Sequence, residues 1–379
     1  MGSPTKSIPL PALPPGPRTR AARQRAAFGA RSLLEGLQSE LIAELAQTEV
    51  VARLRKVSFL GAIDHSPWAR HAQAYLTSRF DHSIGVALLA KSAARKLKLS
   101  ARQRDTALAA ALLHDVGHGP LSHSLESAFA KTFGIDHHKA TEDRILGPSA
   151  SSRALRAVLK QFRVDANEVV RLMNGEAEHP LAAFFSGPIN FDTVEGILRT
   201  ANYRGGVRTG LDGGTTIDAL VQVWMGHATQ DLVGVLDRFW QTKGLCYSQL
   251  VRGNLGVVSD HKCQLFFDAN RHRFRPEHFA WDDAAFSSHF PELFCWLGDD
   301  AAPAVKLPDR SSIAYVRRLF EVSTSHSLGS STLVSMRARY RQHKKPAVLD
   351  WPHRTTTARE PLTIWETNLR SATASATPY

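Results

Sequence analysis

Cysteine is scarce in this sequence of 379 residues. Cys246, Cys263 and Cys295 are odd in number and show no CxxC spacing. A disulfide framework is excluded, and a reduced, cytoplasmic protein is the expectation. Long apolar runs are missing too, since none approaches the roughly 20 residues that a membrane span needs. The first thirteen residues are polar and proline-broken, unlike the core of a signal peptide. There is no internal repeat, and neither Gly205-Gly206 nor Gly213-Gly214 fits a phosphate loop. Sustained apolar–polar alternation is absent, so short strands are expected within 247–275 at most. What remains, 43% hydrophobic and 22% charged, is the mix of an ordinary globular protein.

Acid is what the chain ends lack. Residues 1–34 carry six basic residues and no acidic one, and 310–379 carry eleven basic and four acidic, so nearly all of the net +12 sits outside the middle. Basic ends suit contact with a polyanion, and equally well solvated tails. The cluster RARYRQHKK (337–345), with Tyr340 embedded, suits a grip on single-stranded nucleic acid.

Helical periodicity fills the middle. Leu37, Leu41 and Leu45 mark a helix over 32–47, and Ile84, Leu88, Leu89 and Ala93 mark one over 79–97. Ser100 fits the N-cap of a third that runs to His114. Pro120 suits the first turn of a fourth, over 121–133. A helix begins near Asn190, and 220–240 reads as one long helix. Residues 268–300 suggest short helices packed on the body. The expected organisation is a Pro-rich basic arm at 1–34, a helical domain at 35–300, and a small basic appendage at 301–379 with a flexible tail beyond about 367. The fold class is mostly α.

Histidine is abundant, with 17 residues, and His114, His118, His123, His137 and His138 fall within 25 positions. Histidine is the commonest metal ligand and a proton shuttle near neutral pH. In ALLHDVGHGPLSH (111–123), His114 and Asp115 are adjacent where a helix ends. Neighbours on a helix point about 100° apart, so both grip one ion only where the helix turns, and Gly117 supplies a turn. An imidazole beside a carboxylate suits manganese, iron, zinc or nickel, and magnesium less well. Further ligands must come from elsewhere, and His82 and Asp192 are the candidates. Taken alone, His82 reads as a core histidine and Asp192 as a helix cap.

RFDHSIGVALLA (79–90) followed by LLHDVGHGPLSHSLE (112–126) resembles the HD-domain superfamily of metal-dependent phosphohydrolases. Within it, the HDxGHGPxSH form is similar to the deoxynucleoside triphosphate triphosphohydrolases. ARLRKVSFLGA (52–62) and INFDTVEGILRTANYRG (189–205) resemble further segments of that family, and KGLCYSQLV (243–251) does so faintly. The resemblance implies an HD-type helical bundle. It implies a divalent ion on His82, His114, Asp115 and Asp192, and a substrate phosphate held by Arg79. It places His118 and His123 in the phosphate pocket, Glu126 behind His123, and His138 as a further phosphate-side histidine, with His137 competing. His123 is the implied general acid. The implied reaction is attack at the α-phosphorus of a dNTP, releasing nucleoside and tripolyphosphate, with a role in nucleotide-pool control or antiviral defence. Homo-oligomers with a nucleotide effector are also implied.

The sequence departs from that family where the family reads sugar and base. Phe59 stands for a glutamine, Gly196 for a tyrosine, Thr200 for an acid and Thr193 for a basic residue. Val251, Gly253 and Asn254 occupy aromatic and basic positions. The alternatives are therefore a phosphohydrolase of another ester (a nucleoside monophosphate, an alarmone or a short oligonucleotide), or a nucleotide-sensing or nucleic-acid-binding protein with a structural metal.

Overall fold

The computed structural model describes residues 36–67, 69, 77–202, 210–298, 310–326, 328 and 333–352. The arm at 1–34 and the tail beyond 367 lie outside these. Among the described residues the fold is mostly α, and the one sheet is a two-stranded ribbon.

Of the expected helix over 32–47, residues 32–35 lie outside the described residues, and α1 (Glu40–Leu45), capped by Ser39, starts after Gln38, which turns the chain at φ 43°. Next come α2 (Arg79–Lys96) and α3 (Ala101–Leu113). Each opens on a reciprocal cap, Ser78 with Asp81 and Ser100 with Gln103, which satisfies the first orphan N–H groups. Both helices are central: Thr106 to Leu113 is buried without a break, and α2 buries Phe80, Ile84 and Ala87 together with the polar Arg79, His82 and Ser83. Helices buried all round are core helices, so polar groups held inside one need partners.

Helices α4 (Glu126–Phe133), α5 (His137–Leu146), α6 (Ala166–Met173) and α7 (Phe191–Asn202) follow. The expected helix over 121–133 starts only at Glu126, because Leu121 and Ser122 adopt φ of 56° and 49° and a 3-10 turn intervenes. The expected single helix over 220–240 is two, α8 (Gly213–Trp224) and α9 (Gln230–Cys246). Gly226 at φ 90° ends the first, and Thr229 caps the second. No strand lies in 247–275. A π-turn (Tyr247–Val251) and α10 (Asn254–Ala269) occupy it. Helix α11 (Asp283–His289) is among the short helices expected at 268–300.

The basic appendage holds the sheet. Strand β1 (Arg310–Val322) pairs antiparallel with β2 (Tyr340–Pro352), and α12 (Leu333–Arg339) precedes β2. Alternation failed to signal these strands because the ribbon changes its buried face along its length: Ile313 is buried on one face and Phe320 packs on Trp240 from the other. Tyr340 is 2% exposed, with its hydroxyl on Asp237 at 3.0 Å, so it offers no stacking surface to a nucleic acid. Arg339 of the same cluster is likewise bound to Asp237, at 2.6 and 2.9 Å.

Two apolar clusters make the core. One surrounds α2, α3, α7, α8 and α9. The other is aromatic, built from Phe129, Phe266, Phe267, Phe274, Phe286 and Phe290. The segment 113–125 crosses between them: Leu113 and Val116 belong to the first, Leu121 and Leu125 to the second.

Candidate metal centre and histidine pocket

The four expected ligands come from three places. His82 lies in the first turn of α2, His114 caps the end of α3 with Asp115 next, and Asp192 lies in the first turn of α7. Asp192 does not cap its helix. Asn190 does so: its side chain accepts from Thr193 N at 2.8 Å, and Thr193 Oγ1 accepts from Asn190 N at 3.2 Å. The carboxylate of Asp192 is thereby free to meet the histidines.

His82 Nε2 lies 3.1 Å from Asp192 Oδ1 and 3.3 Å from His114 Nε2. His114 Nε2 lies 3.8 Å from the same Asp192 oxygen and 3.3 Å from Asp115 Oδ1. Ligand atoms of His82, His114 and Asp192 all fall within 4.8 Å of one another. Two imidazoles and a carboxylate at that spacing fit a borderline divalent cation. His114 Nδ1 donates to Ala111 O at 2.9 Å, which leaves Nε2 as the atom facing the cluster.

Asp115 is held differently. Its Oδ2 accepts from Arg79 Nη1 at 2.7 Å, and its Oδ1 lies 3.3 Å from both His114 and His118. Burial opposes its charge, yet the surrounding His114, His118 and Arg79 hold the carboxyl well below the usual range. Arg79, expected on a substrate phosphate, is 5% exposed and engaged with Asp115 and with Ser122 Oγ at 3.0 Å. Burial works against a charge on His82 as well. The bonds to Asp192 and Glu195, with Asp115 near, outweigh it and raise that histidine to about 9.

A second group lies beyond Asp115. Glu126 accepts from His123 Nδ1 at 2.7 Å through one oxygen and from His137 Nδ1 through the other. Burial notwithstanding, these two bonds carry Glu126 far below the ordinary carboxyl value. His118 stacks on His137 with ring centres 4.3 Å apart and meets His123 edge-on at 4.5 Å. His118 is 1% exposed, with its Nε2 3.3 Å from Asp115 Oδ1 and its Nδ1 without a hydrogen-bond partner among the described residues. Burial and the neighbouring Arg79 push it well below the usual histidine value, so it is neutral. His137, not His138, therefore joins the group. His138 is exposed and stands at the rim.

The rim opens on a cavity of about 370 Å³ whose lining includes His114, Asp115 and Asp192. His137 and His138 line it too, and Val170, Met173 and Phe185 are apolar parts of the lining. Gly117 makes this packing feasible, because a Cβ there would stand 2.1 Å from His137 O and 2.3 Å from Thr141 N.

Three residues that sequence reasoning missed hold the centre. Glu195, one turn beyond Asp192 on α7, receives His82 Nδ1 at 2.6 Å and packs against Gly85, where a Cβ would lie 2.3 Å from its carboxylate. An acid three positions after a suspected ligand was a usable signal. Arg53, half-buried and lowered by desolvation to about 9, donates to Trp281 O at 2.9 Å, to Val116 O at 3.0 Å and to His118 O. Asp283 accepts from Ser58 N at 3.0 Å and from Leu121 N at 2.8 Å, and so fixes the 121–122 turn. Arg53 lies in the 52–62 segment that resembles the family, though its contacts could not be read there, and nothing local in the sequence marks Asp283.

The family described as "HD domain" matches residues 79–182. The chain carries an HD domain. It is 32% identical over 180 residues to the uncharacterised protein YwfO of Bacillus subtilis, an alignment covering 45% of this chain and 38% of that protein. The deoxynucleoside triphosphate triphosphohydrolase SAMHD1 homolog of Dictyostelium discoideum is 36% identical over 96 residues, 23% of this chain and 18% of that one. The first curated relatives are matched over about two fifths of their own length. The fold is also that of a hypothetical protein from Aquifex aeolicus, at TM-score 0.61 and 17% identity, covering 88% of this chain and 96% of that one. No helix among the described residues is long and apolar enough to cross a membrane.

Proposed function

We propose that this HD-domain chain is a metal-dependent phosphohydrolase of nucleotides, and within that class a deoxynucleoside triphosphate triphosphohydrolase. The observation that carries the reading is the convergence of His82, His114 and Asp192, of which His114 and Asp192 line a cavity that His137 also lines. The name of the Dictyostelium relative supports the finer assignment.

On this reading His82, His114, Asp115 and Asp192 hold the ion. A divalent cation there acidifies nearby water and offsets phosphate charge. The chain's own groups do the rest. Neutral His118, with its Nε2 beside Asp115, supplies a buried uncharged ring on the phosphate side. Glu126 keeps the His123 proton on Nδ1, so Nε2 is the atom that exchanges a proton with the leaving oxygen. Water adds to the α-phosphorus and gives up a proton to solvent, the bond to the 5′ oxygen breaks, and that oxygen takes the Nε2 proton of His123 in its imidazolium form, which solvent then reprotonates. Control of nucleotide pools, antiviral use of that control, assembly into oligomers and a nucleotide effector belong to the same proposal.

A second reading, another phosphate ester as substrate, has one specific observation in its favour. Phe59 is 7% exposed and its ring centre lies 5.0 Å from that of His82. Gly196 faces both rings, and Thr200 Oγ1 donates to Gly196 O at 2.7 Å. Among the described residues, Phe59, Gly196 and Thr200 present no free group to a sugar hydroxyl, and such groups are what give strong discrimination.

The test is to incubate purified protein and manganese with dNTPs, NTPs, nucleoside monophosphates and short single strands, and to separate the products. Tripolyphosphate that disappears in His114→Ala/Asp115→Ala supports the first reading. Orthophosphate or shortened strands favour the second. Turnover that persists in the double variant refutes the site.

A further inference from the structure

The ribbon β1–β2 takes no part in the site above. Both of its ends are anchored. Phe320 packs on Trp240 with ring centres 5.4 Å apart, Tyr340 packs on the same indole at 5.5 Å, and Ile313 is buried toward the other end. Between these anchors, Arg341 to Pro346 of β2 are exposed without interruption. Four of these six residues are Arg341, His343, Lys344 and Lys345.

The register makes this charge costly. Lys345 stands directly opposite Arg317, and Lys344 directly opposite Arg318. Like charges facing each other across an antiparallel pair destabilise it, and here two adjacent rows do so. Arg318 is drawn aside onto Tyr247, with Nη1 3.2 Å from the hydroxyl. Glu321 is bound to His343 at 2.9 Å. Among the described residues no carboxylate pairs with Arg317, Lys344 or Lys345. The waist of the ribbon therefore concentrates positive charge without internal compensation, which an outside polyanion would supply.

The placement of the cations selects the kind of polyanion. Successive residues of a strand point to opposite faces, so Lys344 lies on one face and Lys345, with Arg317 beside it, on the other. A flat anionic membrane meets one face only, whereas a groove walled by phosphates meets both. The major groove of B-form DNA, about 12 Å wide, admits a two-stranded ribbon, while that of duplex RNA is too narrow for side chains. A second copy of the chain is disfavoured as partner: antiparallel addition along β2 sets cation against cation, and Pro346 has no N–H to give. We propose that the waist of this ribbon binds the phosphates of duplex DNA without regard to sequence. The proposal does not rest on the hydrolytic reading.

The test uses the full chain in chelator, so that no hydrolysis intrudes, with a short labelled DNA duplex followed by fluorescence anisotropy over a range of salt. K344E/K345E turns both like-charged rows into opposite-charged ones. The expected result is at least a tenfold loss of duplex affinity, and a slope of log affinity against log salt shallower by about 2. The variant's melting temperature should be equal or higher, a combination that misfolding cannot produce. Undiminished duplex binding by the variant, as when the basic chain ends carry it all, overturns the proposal. So does tighter binding of the parent to a single strand, to duplex RNA or to anionic phosphatidylserine vesicles.

Discussion

His82 donates through Nδ1 to Glu195 at 2.6 Å, and Glu195 is itself gripped by Arg199 Nε at 2.9 and 3.0 Å. The carboxylate sets which ring nitrogen of His82 faces Asp192 and His114, and the guanidinium keeps the carboxylate charged. Burial alone would raise the Glu195 carboxyl; Arg199 and His82 lower it. Partners of this kind are worth about 10–100-fold in metal affinity. Glu195→Ala should weaken manganese binding by that factor, with helix content unchanged. Competition against a fluorescent chelator measures it, and an unaltered affinity would mean that the ring needs no such orientation.

The two neighbouring histidines 137 and 138 should separate in kinetics. His137 is bound to Glu126 and stacked on His118, while His138 is exposed at the rim. His137→Ala should lower kcat by about 10²-fold or more, and His138→Ala by less than about tenfold on the same scale. Equal losses would put both residues on the substrate.

Asp283 should matter to the fold more than its position suggests. It is 8% exposed and accepts from Ser58 N, Leu121 N and His65. Asp283→Ala leaves the buried Leu121 N–H and the half-buried Ser58 N–H without this partner and should cost about 3 kcal/mol in urea unfolding. Burial opposes its charge, but the bonds from His65, Ser58 and Leu121 prevail and its pKa is lowered. A carboxyl lowered in the folded state stabilises fully above its ordinary value near 4 and progressively loses that contribution as pH falls below it. The gap in stability between the parent and Asp283→Asn should accordingly close in acid.

Lys243 predicts a slope of the same sign in an alkaline window. It is 6% exposed under the indole of Trp240, and burial, joined by Arg318, brings it from 10.5 to about 8 against the pull of Asp192. Between these values the unfolded chain binds more protons than the folded one, so stability rises with pH from about 8 to 10.5. Lys243→Met should remove that rise and gain on the order of 2 kcal/mol at neutral pH. Urea midpoints of the two proteins across the window decide it.

Local chemistry made part of this protein legible in its sequence. Ser100 announced α3, and the length of HDxGHGPxSH, mixing reactive residues with turn formers, drew attention to His114 and Asp115. The convergence of His82 and Asp192 on them was anticipated through resemblance, since spacings of 32 and 77 residues carry no geometric information. The rest depended on contacts distant in sequence. Asp283 holds Leu121 across 162 positions, and Arg53 reaches Trp281 across 228. The ribbon escaped notice because each of its faces is buried at one end and solvated at the other. His137 and His138 are adjacent, and only the direction of Glu126 distinguishes them.

The matched segment ends at residue 182, before Asp192 and Glu195, and begins after Arg53. Its turn at Leu121 is clamped from α11, and its His118 carbonyl from Arg53. Excised as a unit, the portion bearing the family signature would keep two of the metal-facing imidazoles and lose a carboxylate, the brace on His82 and both clamps. Any minimal version of this protein must extend from before Arg53 to beyond Asp283, so its smallest working unit is set by buttressing and not by motif.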